Sequence, residues 1–214
     1  MMRVGYGEPP EGVKLALGTS LRSYNRRVPK PTITIHPVSA DRWGDFERLF
    51  GPGGAYGGCW CMYFRMRSAD NARAKASERK AGIRSLVESG GEPGLIAYVG
   101  GEPAGWVSLD PREKFPRIVH SRLFKPIDGG PVWSIVCFVI GKRYRRQRLS
   151  ERLLAAAIDY ARDHCASAVE AYPIEPSEEL KGYAGFTGIR SVFERAGFVE
   201  VARRENRPTM RLEL

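Results

Sequence analysis

The part of this chain that most constrains its fold is a strand, a basic loop and a helix in direct succession. Val132–Ile140 is one uninterrupted apolar run, which predicts a central strand covered on both faces. The loop that follows, residues 142–148, carries five positive charges. Leucines and alanines spaced for one face then predict an amphipathic helix from residue 149 to about residue 164. A helix N-terminus offers free N–H groups and a positive dipole end, so this basic loop either binds a phosphate group or is a solvated loop kept soluble by its charge.

The other segments predict a mixed α/β protein in which one sheet is flanked by helices. The expected order of elements is β-α-α-β-β-β-α-β-α-β-β. Helices are predicted at residues 40–50, 69–89 and 187–196, and the remaining strands at residues 32–35, 95–99, 105–109, 167–172, 198–204 and 209–214. Four prolines predict that residues 110–131 are mostly loop, and the last hairpin is expected to turn at residues 206–208.

Composition bounds the class of protein. No sustained periodicity runs through residues 1–31, so we expect a basic extension there and one ordered domain over residues 32–214. Hydrophobic residues make up 43% and charged residues 27% of the 214 residues, which is typical of a globular chain. The longest uncharged apolar run is far shorter than the roughly 20 residues that cross a bilayer, and the N-terminus shows no signal-peptide pattern. A cytoplasmic protein with no membrane partner is therefore expected.

The positive charge is concentrated in two places. The net charge of +10 comes from 34 basic and 24 acidic residues. Residues 1–31 contribute +4 and the basic loop contributes +5, which leaves the rest of the chain near neutral. A nucleic-acid-binding protein usually has a broader basic surface, so no nucleic-acid partner is expected. The four cysteines and three histidines show neither zinc-site spacing nor a disulfide framework, so no metal is expected either.

Three stretches of the sequence resemble the GNAT superfamily of N-acetyltransferases. Residues 137–140, residues 144–150 and the helix after them are similar to motif A of that family, whose pattern R/Q-x-x-G-x-G/A holds the pyrophosphate of acetyl-coenzyme A with backbone amides. Residues 191–198 resemble the family's final helix and its Gly-Phe ending. The Gly-Cys-Trp-Cys-Met motif at residues 58–62 is similar to a less characterised bacterial branch. The resemblance covers about residues 32–214.

The resemblance implies the GNAT fold, an α/β architecture with a mixed, mostly antiparallel sheet, a central strand pair that splays apart, and flanking helices. It implies an acetyl-coenzyme A-dependent N-acetyltransferase, in which a primary amine of a small molecule or peptide attacks the thioester directly. Acetyl-coenzyme A is then the cosubstrate, and no metal takes part. Many members are dimers, so a homodimer is one option. The positions that match the coenzyme motif or lie beside the coenzyme are Cys137, Phe138, Val139, Ile140, Arg145, Arg146, Gln147, Arg148, Leu149, Ser150 and Phe193.

Motif A of this chain departs from the family pattern at both glycines. Arg148 and Ser150 stand in their places. Glycine adopts positive φ without strain, whereas an arginine in the left-handed region costs about 1–2 kcal/mol. The guanidinium of Arg148 could in turn replace lost amide contacts by a bidentate pair with a phosphate. Two alternatives therefore stay open, an active transferase and a degenerate GNAT-fold module that binds coenzyme A or an acyl-coenzyme A without turnover.

Four residues are candidates for proton transfer at the acceptor amine. Phe193 stands where many members carry a tyrosine as general acid, and Ser134 stands where some carry a carboxylate base. Ser134 could orient a water, and Tyr183 could supply the hydroxyl that Phe193 lacks. Glu170 and Tyr172 lie on the strand beside the central one, where the splay would let either side chain reach the amine. Their alternatives are a surface or salt-bridged glutamate and a tyrosine of the core.

The cysteine-rich segment is a candidate wall of the acceptor pocket. If residues 59–61 are extended, Cys59 and Cys61 face one side and Trp60 the other. Small buried hydrophobic residues are the alternative reading of the two thiols, and a reactive thiol is a third. Arg65 follows in the same segment and either binds a carboxylate of the acceptor or is solvated.

Overall fold

The computed structural model describes residues 31–174 and 184–214. The predicted basic extension, apart from Pro31, and the candidate Tyr183 lie outside these described residues. The strands are β1 Ile33–Pro37, β2 Gly94–Val99, β3 Glu102–Pro111, β4 Val132–Ile140, β5 Ala168–Ala171, β6 Val199–Arg204 and β7 Arg207–Glu213. The α-helices are α1 Trp43–Phe50, α2 Ser68–Arg73, α3 Ala76–Glu88, α4 Pro116–Val119, α5 Leu149–Asp163 and α6 Arg190–Arg195. No helix in residues 31–174 or 184–214 is both long and apolar enough to cross a membrane.

The seven strands form one mixed sheet in the order β1-β2-β3-β4-β5-β7-β6. Every neighbouring pair is antiparallel except β4 and β5, which are parallel. A parallel pair needs a crossover connection, and α5 provides it between these two strands. The mixed, mostly antiparallel sheet with flanking helices is the architecture predicted from the sequence, and β4 has the predicted bounds.

The sheet separates two apolar cores. On one face, α5 buries its leucines and alanines against β2, β3 and β4, and Phe193 and Phe198 close the same cluster. On the other face, α1 packs Phe46 and Phe50 against Trp106 of β3. The periodicity of the two helices therefore predicted their buried faces correctly, because each faces the sheet along one stripe. We refer to the two sides as the α5 face and the α1 face.

A bulge interrupts β4 at the centre of the sheet. Ser108 of β3 pairs with Cys137 and Leu109 pairs with Ile135, so Val136 has no partner on β3. As a result, Val136 and Cys137 both belong to the core of the α1 face. An extra residue in one strand breaks the alternation of side chains and bends the strand locally. The bulge lies directly after the last residues that pair β4 with β5.

Several predicted boundaries were wrong, and capping explains one of them. The single helix predicted at residues 69–89 is two helices, because Ala74 and Lys75 are extended and the Glu78 carboxylate accepts the Lys75 backbone N–H at 2.6 Å. Residues 110–131 are mostly loop, as predicted, and contain a 3₁₀ turn at Arg112–Lys114 that leads into α4. Pro116 begins α4, a position that proline tolerates because no helical partner is needed for its nitrogen.

Two corrections concern the C-terminal part. The last helix is shorter than residues 187–196, because Thr187 belongs to a 3₁₀ turn, Ala184–Thr187, and the helix begins only at Arg190. The final hairpin turns at Glu205 and Asn206, one residue earlier than predicted, with Glu205 at φ 53°. Pro208 was taken as a turn residue but lies within β7, opposite Arg203.

Candidate active site

The parallel strands β4 and β5 pair over only four residues and then separate. Their register runs from Val132 opposite Ala168 to Ile135 opposite Ala171. Beyond that point β4 continues to Ile140, whereas the chain after β5 turns away to an isolated bridge between Ile174 and Ile189. We call this divergence the splay. It leaves the backbone of β4 after Ile135 without a paired strand on its β5 side within the described residues.

A 3₁₀ turn packs beside β4 where β5 has left it. This turn is Ala184–Thr187, and the next residue, Gly188, has φ 87° and approaches the rings of Phe193 and Phe138. A Cβ at Gly188 would lie 2.6 Å from the Phe193 ring, so only glycine fits there. Thr187 is 2% exposed, and its hydroxyl has no hydrogen-bond partner in the part of the chain that the structure describes. A buried hydroxyl of this kind costs about 1–3 kcal/mol unless a ligand completes it.

The basic loop lies at the far end of β4 and leads into α5. A cleft of about 270 Å³ is lined by Ile140, Tyr144, Arg145, Arg146, Arg148, Leu149, Ser150 and Glu151. It contains the first turn of α5, whose backbone N–H groups have no helical partner. The side chains of Arg145, Arg146 and Arg148 are exposed around it. This arrangement favours the binding of an anion, because the backbone amides, the positive end of the helix dipole and three guanidinium groups all attract negative charge.

Arg148 adopts a backbone conformation that glycine accommodates without strain. Its φ is 58° and its ψ is 23°, which is the left-handed region, and it immediately precedes α5. Arg146 has φ 61°, a second left-handed residue that the motif comparison did not predict. Each costs about 1–2 kcal/mol relative to glycine. The loop therefore has arginine at two positions whose left-handed backbone conformation favours glycine.

Several predicted coenzyme-binding residues turn their side chains into the two cores. Cys137 and Val139 contribute to the core of the α1 face, whereas Phe138 packs 6.1 Å from Phe193 on the α5 face. Phe193 is fully buried. Leu149 is 3% exposed, so its side chain also belongs to the α5-face core. These residues therefore expose their backbone, and not their side chains, to the splay and the cleft. Gln147 donates to the Arg143 carbonyl at 2.8 Å, which holds the loop in shape.

Four polar side chains cross the sheet in one row on the α1 face. The register places Asp110 of β3 opposite Ser134 of β4, Ser134 opposite Glu170 of β5, and Glu170 opposite Arg211 of β7. We call these four residues the polar row. Ser134 and Glu170 are at most 1% exposed. A buried row of this kind is stable only if its charges are paired and its donors are used.

Glu170 is held by two guanidinium groups. Arg211 Nη2 donates to Oε1 at 2.9 Å, and Arg112 Nη1 lies 3.3 Å from Oε2. Arg112 is 2% exposed and also donates to the Asp128 carbonyl at 2.7 Å, while Arg211 pairs with the Asp128 carboxylate. The salt-bridged alternative for Glu170 is thus the observed environment. The sequence analysis missed Arg112 and Arg211, because neither contact follows from local pattern and both depend on strand pairing.

Tyr172 joins the polar row to the start of the splay. It is fully buried, donates to Glu170 Oε2 at 2.9 Å, and its hydroxyl lies 3.2 Å from the Ser134 hydroxyl. Burial first, and then the Glu170 charge, raise the pKa of Tyr172 well above its usual value. Tyr172 therefore remains a neutral phenol at physiological pH. The structure brings together three of the four predicted proton-transfer candidates, Ser134, Glu170 and Tyr172.

The cysteine-rich segment is not extended, so the geometry considered for an extended segment does not apply to it. Trp60 has φ 43° and Cys61 has φ 52°, and the tight turn buries both side chains in the α1-face core. The Trp60 ring stacks on Phe50 at 5.7 Å, and Trp106 Nε1 lies 2.9 Å from Cys61 Sγ. Burial raises the pKa of Cys59 to about 11, which keeps this thiol protonated at neutral pH. The small-hydrophobic reading of these thiols fits these surroundings.

Arg65 is buried and paired, not solvated. Its Nη1 lies 2.6 Å from the Asp110 carboxylate, its Nη2 donates to the Pro93 carbonyl at 2.8 Å, and its guanidinium lies 4.7 Å above the Phe115 ring. Because its charge is already matched by a residue of the polar row, Arg65 supports the sheet and has little left to offer an acceptor. No group of three or more His, Cys, Asp or Glu residues in the described ranges is arranged to hold a metal ion.

Comparisons with known proteins agree with this architecture. Residues 60–198, more than half of the chain, match the model of the acetyltransferase (GNAT) family. A GNAT-family acetyltransferase from Listeria monocytogenes is 12% identical with a TM-score of 0.56, and the match covers 85% of this chain and 95% of that one. The yncA protein of Salmonella typhimurium, solved with its cofactor acetyl-CoA, is 14% identical with a TM-score of 0.50, covering 85% and 94%.

An uncharacterized protein from Bacillus halodurans is also similar, with 14% identity, a TM-score of 0.54 and coverage of 85% and 83%. No curated protein matches the chain in sequence. Because the sequence identities are only 12–14%, the solved structures are evidence for the shared fold alone. The family model covers the chain from the cysteine-rich segment, through the basic loop, to just after the last helix. The chain therefore belongs to the GNAT family of acetyltransferases.

Proposed function

We propose that this chain transfers the acetyl group of acetyl-coenzyme A to a primary amine by direct attack of the amine on the thioester. The observation that carries the proposal is the splay with its two ends. A basic helix N-terminus lies at one end of β4, and the buried hydroxyl groups of Ser134 and Tyr172 lie where β4 and β5 part. A cleft of this kind can hold an anionic carrier and direct its acyl end toward polar groups.

The residues around the basic loop fit a coenzyme. Backbone amides from Arg148 into the start of α5 and the guanidinium groups of Arg145 and Arg146 match a pyrophosphate, which needs several donors and positive charge. The unpartnered hydroxyl of Thr187, beside β4, is a polar group that a bound ligand in the splay would satisfy. When bound, acetyl-coenzyme A supplies the activated acetyl group and a thiol that leaves readily near neutral pH.

Polarisation of the acetyl carbonyl falls to the backbone of β4. The bulge at Val136 changes which way the following residues point, and the strand has no β5 partner there in the described part of the chain. We expect an N–H near Phe138 or Val139 to stabilise the oxygen as it gains charge. The side chains of these residues pack in the cores, which keeps the backbone fixed and needs no reorganisation during reaction.

Proton transfer is assigned to Ser134, Tyr172 and Glu170. The amine must lose a proton to become a nucleophile, and the departing thiolate must gain one. The proton lost by the amine passes to the Ser134 oxygen as the Ser134 hydroxyl gives its own proton to Tyr172. Tyr172, a neutral phenol, leaves its hydrogen bond to Glu170 and gives its proton to the departing thiolate. Glu170, held by two guanidinium groups, orients the phenol and keeps negative charge beneath it. In this proposal Tyr172 is the catalytic acid and Glu170 positions it.

A catalytically silent binding module is the second candidate function. It is favoured by Phe193, which is fully buried and lacks the hydroxyl found in many members, and by the strained arginines of the loop. Such a module would bind acetyl-coenzyme A at the same cleft and give no turnover.

Calorimetric titration with acetyl-coenzyme A, followed by a thiol-release assay over a broad amine panel, separates the two candidates. At a hundredfold excess over Kd we expect about 2.7 kcal/mol of stabilisation, seen as a rise in Tm of several degrees. Turnover that falls about a hundredfold in Tyr172→Phe, with coenzyme affinity preserved, supports the transferase and the assigned acid. Binding without turnover on the whole panel would support the silent module, and absence of binding at millimolar ligand would refute both.

A further inference from the structure

A continuous set of aromatic rings leads from the splay to the protein surface on the α1 face. Tyr172 meets Phe124 edge-on at 5.3 Å, and Phe124 meets Phe64 at 5.8 Å. Phe64 in turn meets Tyr63 at 5.0 Å, and Phe186 of the 3₁₀ turn beside β4 contacts both. We call these five residues the aromatic wall.

The wall changes from buried to half-exposed along its length. Tyr172 and Phe64 are at most 2% exposed, whereas Tyr63, Phe124 and Phe186 are half-buried. Its inner end is the hydroxyl assigned to proton transfer. An apolar surface that begins at the reacting groups and opens outward is suited to the apolar part of a small molecule.

Arg117 lies on the outer end of the aromatic wall without an acidic partner. Its guanidinium is 3.8 Å above the Tyr63 ring, and its backbone N–H donates to the Phe64 carbonyl at 3.2 Å. Its Nε is buried and has no hydrogen-bond partner in the described residues. No carboxylate of residues 31–174 or 184–214 lies within ion-pair distance of it. The buried side chains of Arg65 and Arg112, on the same face, are both paired with carboxylates.

The segment that carries Arg117 is positively charged throughout. Residues 114–127 contain Lys114, Arg117, Arg122 and Lys125 and no acidic residue before Asp128. The positive field at the outer end of the wall therefore attracts an anionic group. A guanidinium that lies over an aromatic ring keeps its N–H groups in its own plane and directed away from the ring. A planar carboxylate can accept two of these N–H groups in a bidentate pair.

We propose that the acceptor is a primary amine separated from a carboxylate by an apolar or aromatic skeleton, the chemistry of an ω-amino acid, and that Arg117 binds this carboxylate. The inference rests on the proposed function, since it names the acceptor class of the same site. The apolar skeleton lies along the aromatic wall, and the amine faces the splay. Arg117 thus takes the role of a specificity-determining residue that the sequence analysis had considered only for Arg65.

Matched acceptor pairs test the carboxylate directly. We compare 4-(aminomethyl)benzoate with 4-(aminomethyl)benzamide, and 6-aminohexanoate with 6-aminohexanamide, in the wild type, Arg117→Gln and Arg117→Lys. The selectivity for acid over amide, as a ratio of kcat/KM, is expected to fall about tenfold to a hundredfold in Arg117→Gln, mostly through KM, and less in Arg117→Lys. The acid and the amide of a pair differ in the pKa of their amine. This difference is the same for every protein variant, so it does not affect the comparison between variants. Arg122→Gln removes the same charge from the same segment and should change the ratio less than twofold.

An equilibrium measurement keeps the inference testable if no amine is turned over. Phenylacetate carries the ring and the carboxylate without an amine, and its binding is measured by calorimetry in the same three proteins and the Arg122→Gln control. Saturable binding that weakens at least tenfold in Arg117→Gln supports the proposal. Equal binding in wild type and Arg117→Gln, or none at millimolar phenylacetate, overturns it. A parallel titration with acetyl-coenzyme A reports on the proposed function separately, because loss of coenzyme binding leaves the phenylacetate result intact.

Discussion

The basic loop and the polar row both carry charged side chains, but the two sets lie in opposite environments. The charges of the loop are solvent-exposed on a backbone that is strained at Arg146 and Arg148. The charges of the polar row are largely buried, and the Glu170 carboxylate contacts the guanidinium groups of both Arg112 and Arg211. Exposed charges contribute little to stability and are free to meet a ligand, whereas buried charges must be matched inside the protein. The loop is therefore expected to control binding, and the row to control stability and the proton-transfer groups.

The largest expected effect comes from breaking the buried row. Arg112→Met keeps the length of the side chain but removes one of the two cations at Glu170. We expect the free energy of unfolding to fall by about 3–5 kcal/mol, because an incompletely paired carboxylate stays buried. Urea unfolding measures this. Arg162→Met, which removes an exposed pair with Asp159, is the control and should cost less than about 1 kcal/mol. Similar losses in the two variants would contradict the contrast between buried and exposed charge.

The loop is tested by reversing its charge. In the double variant Arg145→Glu, Arg146→Glu we expect acetyl-coenzyme A to bind about a hundredfold more weakly, since two charge-assisted contacts are lost. Stability should change little, because both side chains are exposed. The double variant Arg84→Glu, Arg162→Glu imposes the same change in net charge elsewhere and should bind normally. Equal weakening in both would mean that only the overall charge matters.

Arg148→Gly separates the backbone of the loop from its guanidinium. Relief of about 1–2 kcal/mol of left-handed strain exceeds the entropy that glycine loses on folding, so the free energy of unfolding should rise by up to about 1 kcal/mol. Arg143→Gly, at a residue without positive φ, should lower it instead. We expect coenzyme affinity to stay within threefold in Arg148→Gly. A tenfold loss would show that the guanidinium, and not the amide, binds the phosphate.

The smallest expected effect is an acid-dependent one at the edge of the polar row. A hydrogen bond from Arg211 lowers the pKa of Asp128 to about 2. A carboxyl whose folded pKa is lowered stabilises the fold above its usual pKa of 3.8, and this stabilisation is lost as the pH falls toward 2. Asp128→Asn should therefore lower the free energy of unfolding by well under 1 kcal/mol near neutral pH. As the pH falls from 3.8 to about 2, its Tm should decline less than that of the wild type. Because Asp128 is exposed, 1 M salt should reduce the difference, and no salt effect would argue against an electrostatic cause.

Sequence patterns predicted the elements that carry a strong local signal. The apolar run of β4 and the amphipathic stripe of α5 both depend on neighbours within a few residues of one another. The candidates Ser134, Glu170 and Tyr172 were placed on adjacent strands because the family resemblance supplied the strand neighbours. By contrast, the split between α2 and α3 depended on one capping carboxylate at Glu78, which a periodicity argument does not weigh.

Long-range pairing accounts for what sequence reasoning missed. Arg112, Arg211 and Asp110 meet the other polar groups only through the register of β3, β4, β5 and β7. Arg65 and Arg117 lie 52 positions apart along the chain and are the same residue type, yet Arg65 is paired with Asp110 whereas Arg117 has no carboxylate partner among the described residues.

Hydrophobic periodicity and local charge act over a few residues, so they were enough to predict a buried central strand that leads into a basic loop and a helix. Which charges are neutralised and which remain available depends on the three-dimensional fold. The reason is physical: burial makes an unpaired charge costly, and whether a side chain is buried beside a partner depends on strands and helices that lie far apart in the chain.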